Sequence, residues 1–491
     1  DALEIRDVRN LFKKALVQNG SHLMKTPPAP AVARLTPEPR PAEERRRDLR
    51  EIYTTPTLAH IQEQAARCLD CGVPGCREAC PLTNRIPDWL QAVARGDIQR
   101  AADIAHATNP LPEVCGRLCP QHRLCEGACT RATQDGAVTI GAIEQYLGDT
   151  ALVRGWHPAA PARRTGKKIA IIGAGPAGLA CADSLNRTGN TVTVYDRGAG
   201  IGGLLATGVP PFKLEKQVLA ERQALWEQAG IGFRLGTPVD GAMLRGLIAE
   251  HDAVFLGSGA QTTRAVELKG QRLAGVYQAL DYLNAMNAGR HAQLKERRVV
   301  VLGSGDTAMD CARSALRDGA TSVTVVSRSS EASLRASPRE AEAARAEGVA
   351  FRFRHLALEV HGDEQVRGVR FDTPDGEQSV ACDAVILAFG FMPDTHDWLA
   401  PFALAHDDHG RIQVDGHGRT SNPKVYAGGD AASGPDLVVT ALAAGRRAAQ
   451  AIAADLTPWQ RVMTSGRALL LPIRHENQPA LAARQGHEGA T

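Results

Sequence analysis

Lys167-Lys168-Ile169-Ala170-Ile171-Ile172-Gly173-Ala174-Gly175-Pro176-Ala177-Gly178 is the stretch that decides the fold. Lys167–Ile172 reads as a compact buried strand. An Ala/Leu-rich helix runs on from the glycine turn to Leu185, and Thr191–Tyr195 follows as a second strand. In such a unit Gly173 permits the tight turn and Gly175 lets the backbone approach a pyrophosphate. Gly178 lets helix and strand pack closely, while the helix N-terminus at Pro176 and Ala177 faces the negative charge. Asp196 ends the second strand where an acid binds ribose hydroxyls, with Arg197 next to it. A lone G-x-G-x-x-G is a weak signal. With both strands, the helix and the acid in place, a dinucleotide site is favoured over a structural turn.

A near-copy begins at Arg297, about 130 residues downstream. The strand Val299–Leu302 leads into Gly303-Ser304-Gly305-Asp306-Thr307-Ala308, a helix runs to Leu316, and Ser322–Val326 is the next strand. Ser327 and Arg328 stand in register with Asp196 and Arg197. A carboxylate there repels a ribose 2′-phosphate, whereas a guanidinium pairs with it in a bidentate way. The second site is therefore expected to take NADP(H) rather than NAD(H), the alternative being that Arg328 is a solvated surface residue. A third constellation is Val425-Tyr426-Ala427-Gly428-Gly429-Asp430. Its paired glycines and aspartate suit a flavin's ribityl chain, and the helix expected over Leu437–Ala449 points its N-terminus at the isoalloxazine edge. Together with the first site, Gly429 and Asp430 read as the second half of an FAD domain.

The cysteines carry the next signal. Of 11, eight lie between Cys68 and Cys129; Cys181, Cys311 and Cys382 lie elsewhere, the first two inside expected helices as small core residues. The first group is Cys68-x2-Cys71-x4-Cys76-x3-Cys80-Pro81. The second is Cys115-x3-Cys119-Pro120 with Cys125-x3-Cys129. Thiolates suit iron–sulfur clusters or zinc. Zinc sites take four ligands as two C-x-x-C-like pairs and explain neither the extra cysteines nor the Cys-Pro pairs. A disulfide scaffold is small, secreted and cysteine-dense throughout. Iron–sulfur is the favoured reading, with zinc and disulfides behind it. In ferredoxin-like runs the last cysteine before proline ligates the other cluster. Cys80 is then expected to join the second group while one downstream cysteine completes the first. Eight cysteines nominally supply two 4Fe–4S clusters.

The remaining composition bounds the reading. A chain of 491 residues holds two to four domains. With 43% hydrophobic and 23% charged residues and a net charge of +3, it has no basic stripe for a nucleic-acid partner. Its longest apolar runs, such as Ala384–Phe389, fall far short of the ~20 residues that span a bilayer. With no secretory signal, the expectation is a cytoplasmic protein without a membrane partner. Residues 1–23 suit an amphipathic helix, and Gly20-Ser21-His22-Leu23-Met24 resembles a cloning junction before a start methionine. They read as vector-encoded or as a docking helix. The 15 histidines are scattered, and no Ser/His/Asp, HExxH or flavin-domain CxxC arrangement is visible.

Several stretches resemble the small (β) subunit of bacterial NADPH-dependent glutamate synthase, over roughly residues 40–455. They are Cys68-Leu69-Asp70-Cys71-Gly72-Val73-Pro74, Asn84-Arg85-Ile86-Pro87-Asp88-Trp89, Cys115-Gly116-Arg117-Leu118-Cys119-Pro120 and Gly136-Ala137-Val138-Thr139-Ile140-Gly141. Gly202-Gly203-Leu204-Leu205, Phe212-Lys213-Leu214-Glu215-Lys216 and Gly305-Asp306-Thr307-Ala308-Met309-Asp310-Cys311 complete the set. The same module is similar to the N-terminal part of dihydropyrimidine dehydrogenase and to NADPH-linked ferredoxin oxidoreductases. The resemblance implies an α/β fold: two Rossmann-like, glutathione-reductase-like nucleotide domains behind an α-helical iron–sulfur domain. It implies Gly203, Leu204 and Lys213 as further FAD contacts. It also implies one cluster on Cys68, Cys71, Cys76 and Cys129, and another on Cys80, Cys119, Cys125 and Glu144, with Cys115 a nearby spare thiol. Relatives often carry two adjacent arginines where this chain has Arg328-Ser329, and the stretch Glu359–Val380 matches poorly.

The expected layout is an extension (1–35), the helical cluster domain (36–160), the FAD domain in two parts (161–295 and 393–456) around an NAD(P)H domain (296–392), and a tail (457–491). The expected reaction passes electrons from NADPH through FAD and two 4Fe–4S clusters to a large glutamate-synthase α-like subunit, which holds the amidotransferase chemistry that this chain lacks. No general base is required for it. The alternatives are electron input to another reductase or to ferredoxin, and a non-catalytic redox-sensing module.

Overall fold

Short helices broken by cysteine, proline and glycine fill the first part of the chain, as their spacing implies. The computed structural model describes residues 32–457 apart from 157, 159, 265, 291–293 and 394–396, together with 463–464 and 467–468. The expectations for residues 1–23 and for most of the tail lie outside the described residues. Among the described residues this region holds seven α-helices. They are α1 (Ala42–Arg45), α2 (Leu58–Ala65), α3 (Gly75–Glu78), α4 (Ile86–Ala94), α5 (Ile98–Thr108), α6 (Pro112–Leu118) and α7 (Ile140–Val153). Thr57 caps α2 by accepting from the His60 N–H, and Asp97 caps α5 by accepting from the Arg100 N–H. Trp89, Leu90, Ile143 and Leu147 bury their apolar faces in a common core. Gly116 lets α6 lie directly on α7, since a Cβ there would sit 2.4 Å from the Gln145 nitrogen.

The chain then switches to parallel strands, of which the central Lys168–Ile172 and Ala253–Leu256 are buried along nearly their whole length, as strands covered on both faces must be. β1 (Lys168–Ile172), β2 (Thr191–Tyr195), β3 (Gly232–Arg234) and β4 (Ala253–Leu256) form a parallel sheet with the late strand β15 (Val425–Ala427), in the order β15-β4-β1-β2-β3. The helices of this unit are α8 (Pro176–Arg187), α9 (Leu204–Thr207), α10 (Lys216–Gln228) and α11 (Gly241–Glu250). After the short β5 (Thr262–Thr263) comes a second sheet with the same plan. It comprises β6 (Val276–Gln278), β7 (Arg298–Leu302), β8 (Ser322–Val326), β9 (Ala350–Arg352) and β13 (Ala384–Leu387), in the order β6-β13-β7-β8-β9. Its helices are α12 (Ala279–Asn287), α13 (Asp306–Arg317) and α14 (Pro338–Ala346). An antiparallel sheet of β10 (Leu356–Gly362), β11 (Val366–Thr373) and β12 (Gly376–Ala381) fills the link from β9 to β13.

The second unit differs from the expected layout at one point. Its edge strand β6 and helix α12 lie upstream of residue 296, where the sequence placed the boundary. The chain enters and leaves this unit side by side, for β5 pairs antiparallel with β14 (Phe391–Met392). It then returns to the first unit as β15, α15 (Asp430–Ser433) and α16 (Val438–Leu456). Gly445 brings α16 against α8, because a Cβ there would lie 1.9 Å from the Ala177 carbonyl oxygen.

Candidate functional site

The first glycine turn opens on a cleft of about 420 Å³, within the range of cofactor sites. Gly173, Gly175, Pro176, Ala177, Asp196, Arg197, Gly203, Leu204 and Asp430 all line it, so expected FAD residues from four separate stretches converge. The N-termini of α8 and α16 both open on it through Pro176 and Val438, directing two sets of unpaired backbone N–H groups at one space. Asp196 steadies the turn: its two carboxylate oxygens accept from the Ala174 N–H and the Gly198 N–H, each at 2.6 Å. Burial pushes the Asp430 carboxyl up to about 7.

Three expected FAD residues stand behind this wall. Gly178 sits under the turn, where a Cβ would meet the Gly173 carbonyl oxygen at 1.9 Å. Gly429 turns the chain with φ 67° against Ala177. Lys213 does not line the cleft. Its Nζ pairs with Asp310 of α13 at 2.9 Å and with Glu340 of α14 at 3.4 Å, tying the two nucleotide units together. Burial opposes the Lys213 ammonium, but the two carboxylates outweigh it and raise its pKa. The sequence reading passed over Ser258, Gly259 and Trp398, which also line the cleft, whereas Leu437, expected to open the helix aimed at the flavin, does line it. Gly257-Ser258-Gly259 directly after an apolar strand was a usable signal; nothing near Trp398 was.

At the second turn Gly303 closes tightly on the Ala388 carbonyl oxygen, whereas a Cβ at Gly305 would meet nothing within 4 Å. Ala308 is buried at the base of α13, and Thr307 sits in its first turn. The Asp306 carboxylate accepts from the Ser337 N–H at 2.8 Å, joining this turn to the start of α14. Arg328 is exposed beyond β8, while Ser327 is buried and accepts from the Ser329 N–H at 3.1 Å.

The eight N-terminal thiols are all free and fall into two sets. Cys68, Cys71, Cys76 and Cys129 line one small cavity, with Cys76 in electrostatic reach of the other three. Cys119 and Cys125 each feel Glu144 and Cys80, and Cys115 lies against Cys119. Spacing alone favoured eight cysteine ligands. In the fold a carboxylate, Glu144, stands in the second set together with Cys115. Burial pushes Cys76 and Cys80 up to about 12, and such thiols become ligands only when a metal offsets their charge. Among the described residues no three His, Cys, Asp or Glu side chains converge on a point that a single metal ion could occupy. Four thiols around one small cavity, and a second set of thiols with a carboxylate, are donor sets that suit iron–sulfur clusters.

The second thiol set abuts the first nucleotide unit. Cys115 and Leu82 share a hydrophobic core with α8 and α16, and Cys80 and Cys119 pack against it. Arg446 of α16 donates to the carbonyl oxygens of Leu82 and Thr108 at 3.1 and 3.0 Å. Deeper in the joint, Arg222 of α10 donates to both oxygens of Glu113 of α6, at 2.8 and 2.9 Å, with both side chains fully buried.

Comparison with known proteins agrees with this arrangement. Residues 167–445 match the family described as pyridine nucleotide-disulphide oxidoreductase. Residues 45–156 match dihydropyrimidine dehydrogenase domain II, 4Fe-4S cluster. The chain is 45% identical to the glutamate synthase [NADPH] small chain of Escherichia coli K12 across 85% of this chain and 96% of that one. It is 41% identical to that of Azospirillum brasilense across 86% and 94%. It is also 44% identical to the putative oxidoreductase AegA of E. coli, covering 86% of this chain but 69% of that protein. Among solved structures, Mycobacterium tuberculosis FprA in complex with NADPH has a TM-score of 0.51 at 19% identity, over 59% of this chain and 84% of that one, which is a likeness of fold.

Proposed function

We propose, since this chain belongs to the family of the glutamate synthase [NADPH] small chains, that it is an NADPH-oxidising electron-input subunit whose acceptor is a large subunit forming L-glutamate from glutamine and 2-oxoglutarate. The observation that carries the reading is the joint just described, where the second thiol set shares one core with the helices that border the cleft.

The chemistry supplied by bound FAD and iron–sulfur groups is the conversion of a two-electron donor into single electrons. The protein's part is to hold and align. The first glycine turn, Asp196 and the N-termini of α8 and α16 bind FAD, with Asp430 at its ribityl side. The turn Gly303–Ala308 receives the NADPH pyrophosphate on the N-terminus of α13, with Asp306 and Thr307 at its mouth and Arg328 placed to pair with the 2′-phosphate. Lys213, through Asp310 and Glu340, fixes the angle between the units on which nicotinamide and flavin must meet. Cys80, Cys119, Cys125 and Glu144 hold a cluster next to the flavin unit; Cys68, Cys71, Cys76 and Cys129 hold a second one farther out, nearer the acceptor. Among the described residues no helix is long and apolar enough to cross a membrane.

Anaerobic titration with NADPH, followed by visible absorbance and low-temperature EPR with iron assayed on the same sample, tests this. Bleaching of the flavin at low NADPH with about eight irons per chain supports it. Zinc in place of iron, or a flavin that stays oxidised, defeats it. The match to AegA, a longer protein with another name, favours a second reading in which the module feeds a different reductase. Mixing with a glutamate synthase large subunit separates the two, since only the first reading gives NADPH-dependent glutamate formation.

A further inference from the structure

The stretch Asn84–Trp89 has no task in the scheme so far. Asn84 lies just before α4 and Asn109 between α5 and α6, each 1% exposed. Their side-chain nitrogens meet at one oxygen. Nδ2 of Asn84 donates to Oε1 of Glu144 at 2.7 Å, and Nδ2 of Asn109 donates to the same atom at 3.0 Å.

The far end of each amide fixes its orientation. Asn84 Oδ1 accepts from Trp89 Nε1 at 3.3 Å and from the Thr108 hydroxyl at 2.9 Å. Asn109 Oδ1 accepts from the Leu111 N–H at 3.0 Å and lies 3.8 Å from the Cys115 thiol. Indole and backbone N–H groups can only donate, so flipping either amide would set donor against donor and remove the bond to Glu144. Oε1 of Glu144 therefore carries two donors. No hydrogen bond among the described residues engages Oε2.

We infer that Asn84 and Asn109 are positioning residues: they hold Glu144 so that Oε2 alone is offered to the cluster on Cys80, Cys119 and Cys125, and thereby set that cluster's reduction potential. The inference rests on the reading that Glu144 is a ligand. Groups that donate to a metal-bound carboxylate orient it and drain charge from it. Such donors favour the more negative, reduced cluster, so removing one lowers its potential. Trp89 and Thr108 act one step further out, by fixing the Asn84 amide.

EPR-monitored redox titration of the full-length, flavin-replete protein tests this with the variants Asn84→Ala, Asn109→Ala and Glu144→Cys. Each asparagine variant is expected to shift one cluster potential downward and leave the other where it was, and Glu144→Cys to change the EPR signal of that same cluster. If Glu144→Cys leaves every cluster signal unchanged, the ligand reading itself is lost. If Glu144→Cys changes a signal while the asparagine variants lower stability but move no potential, the ligand stands and the positioning role is overturned. Should Asn84→Ala not fold, Asn109→Ala and the isosteric Asn109→Asp carry the same two outcomes.

Discussion

The two nucleotide units share a strand–glycine-turn–helix plan and a five-strand order, yet they are completed by different parts of the chain. The difference lies in what returns to each. The first sheet takes its edge strand, β15, from a segment beyond the whole second unit, and with it α16, which Gly445 seats on α8. The second takes its edge strand, β6, from the segment just before it, and among the described residues no helix C-terminal to its last strand, β13, packs back on α13 as α16 packs on α8. A glycine fingerprint thus sets the turn, while the segments that pack beside it complete the site. The two residues after the second strand differ in charge: Asp196, braced by two backbone N–H groups, then Arg197 in one unit, and a buried, uncharged Ser327, then an exposed Arg328 in the other.

The units are also anchored differently, and the largest expected effect lies there. The first is bound to the cluster domain through Arg222 and Glu113. Arg222→Ala leaves a buried carboxylate with its ion-pair partner gone and should cost about 3–5 kcal/mol in a denaturant titration; a loss below ~1 kcal/mol would mean that the joint is not tight. The second unit is tied to the N-terminal segment by Arg45, which reaches Glu347 at 3.1 Å, while Arg313 and Arg317 bind the same carboxylate. Burial would raise the Glu347 carboxyl, but the arginines outweigh it and hold it at about 2 against an ordinary 4.5. Because the folded pKa lies below the unfolded one, the contribution is complete above pH 4.5 and disappears as pH falls through 2. At neutral pH it amounts to about 3 kcal/mol at most. Glu347→Gln should remove that acid-sensitive share, and an unchanged stability–pH curve would refute it.

Closure of the chamber comes next in size. Gly445→Ala should cost about 1–3 kcal/mol and release flavin, whereas Gly305→Ala, with open space around it, should change stability by less than about 0.5 kcal/mol. Melting curves and the flavin-to-protein absorbance ratio read both. On the binding side, Arg328→Ala should raise the KM for NADPH about 10-fold, leave kcat nearly unchanged and spare NADH. An equal rise for both nucleotides would deny Arg328 its 2′-phosphate contact.

Much of this was legible in the sequence because local chemistry carried it. The turns at Gly173 and Gly303, their flanking strands and the two cysteine groups announce themselves within short windows. The pairing of distant pieces does not. β6 is three residues long, too short to show a period, so its membership of the second sheet was hidden. Linear spacing could not bring Cys129 beside Cys68, which needs the close contact of Gly75 with the Ala128 carbonyl. Lys213, placed at the flavin by resemblance, spends its charge on Asp310 because a buried ammonium needs a carboxylate. Arg222 and Glu113 gave no signal, since residues 109 apart reveal a partnership only after folding.

The late arrival of β15 has a consequence for how the molecule is made. The cluster domain and most of both sheets leave the ribosome before Val425, yet α16 must emerge and settle on Ala177 before the chamber has its roof. Flavin is therefore captured only after α16 has emerged, by a chain whose earlier parts are already folding. A nascent chain halted just short of Val425 would carry both glycine fingerprints and all eight N-terminal cysteines, and still be colourless at 450 nm in its flavin band.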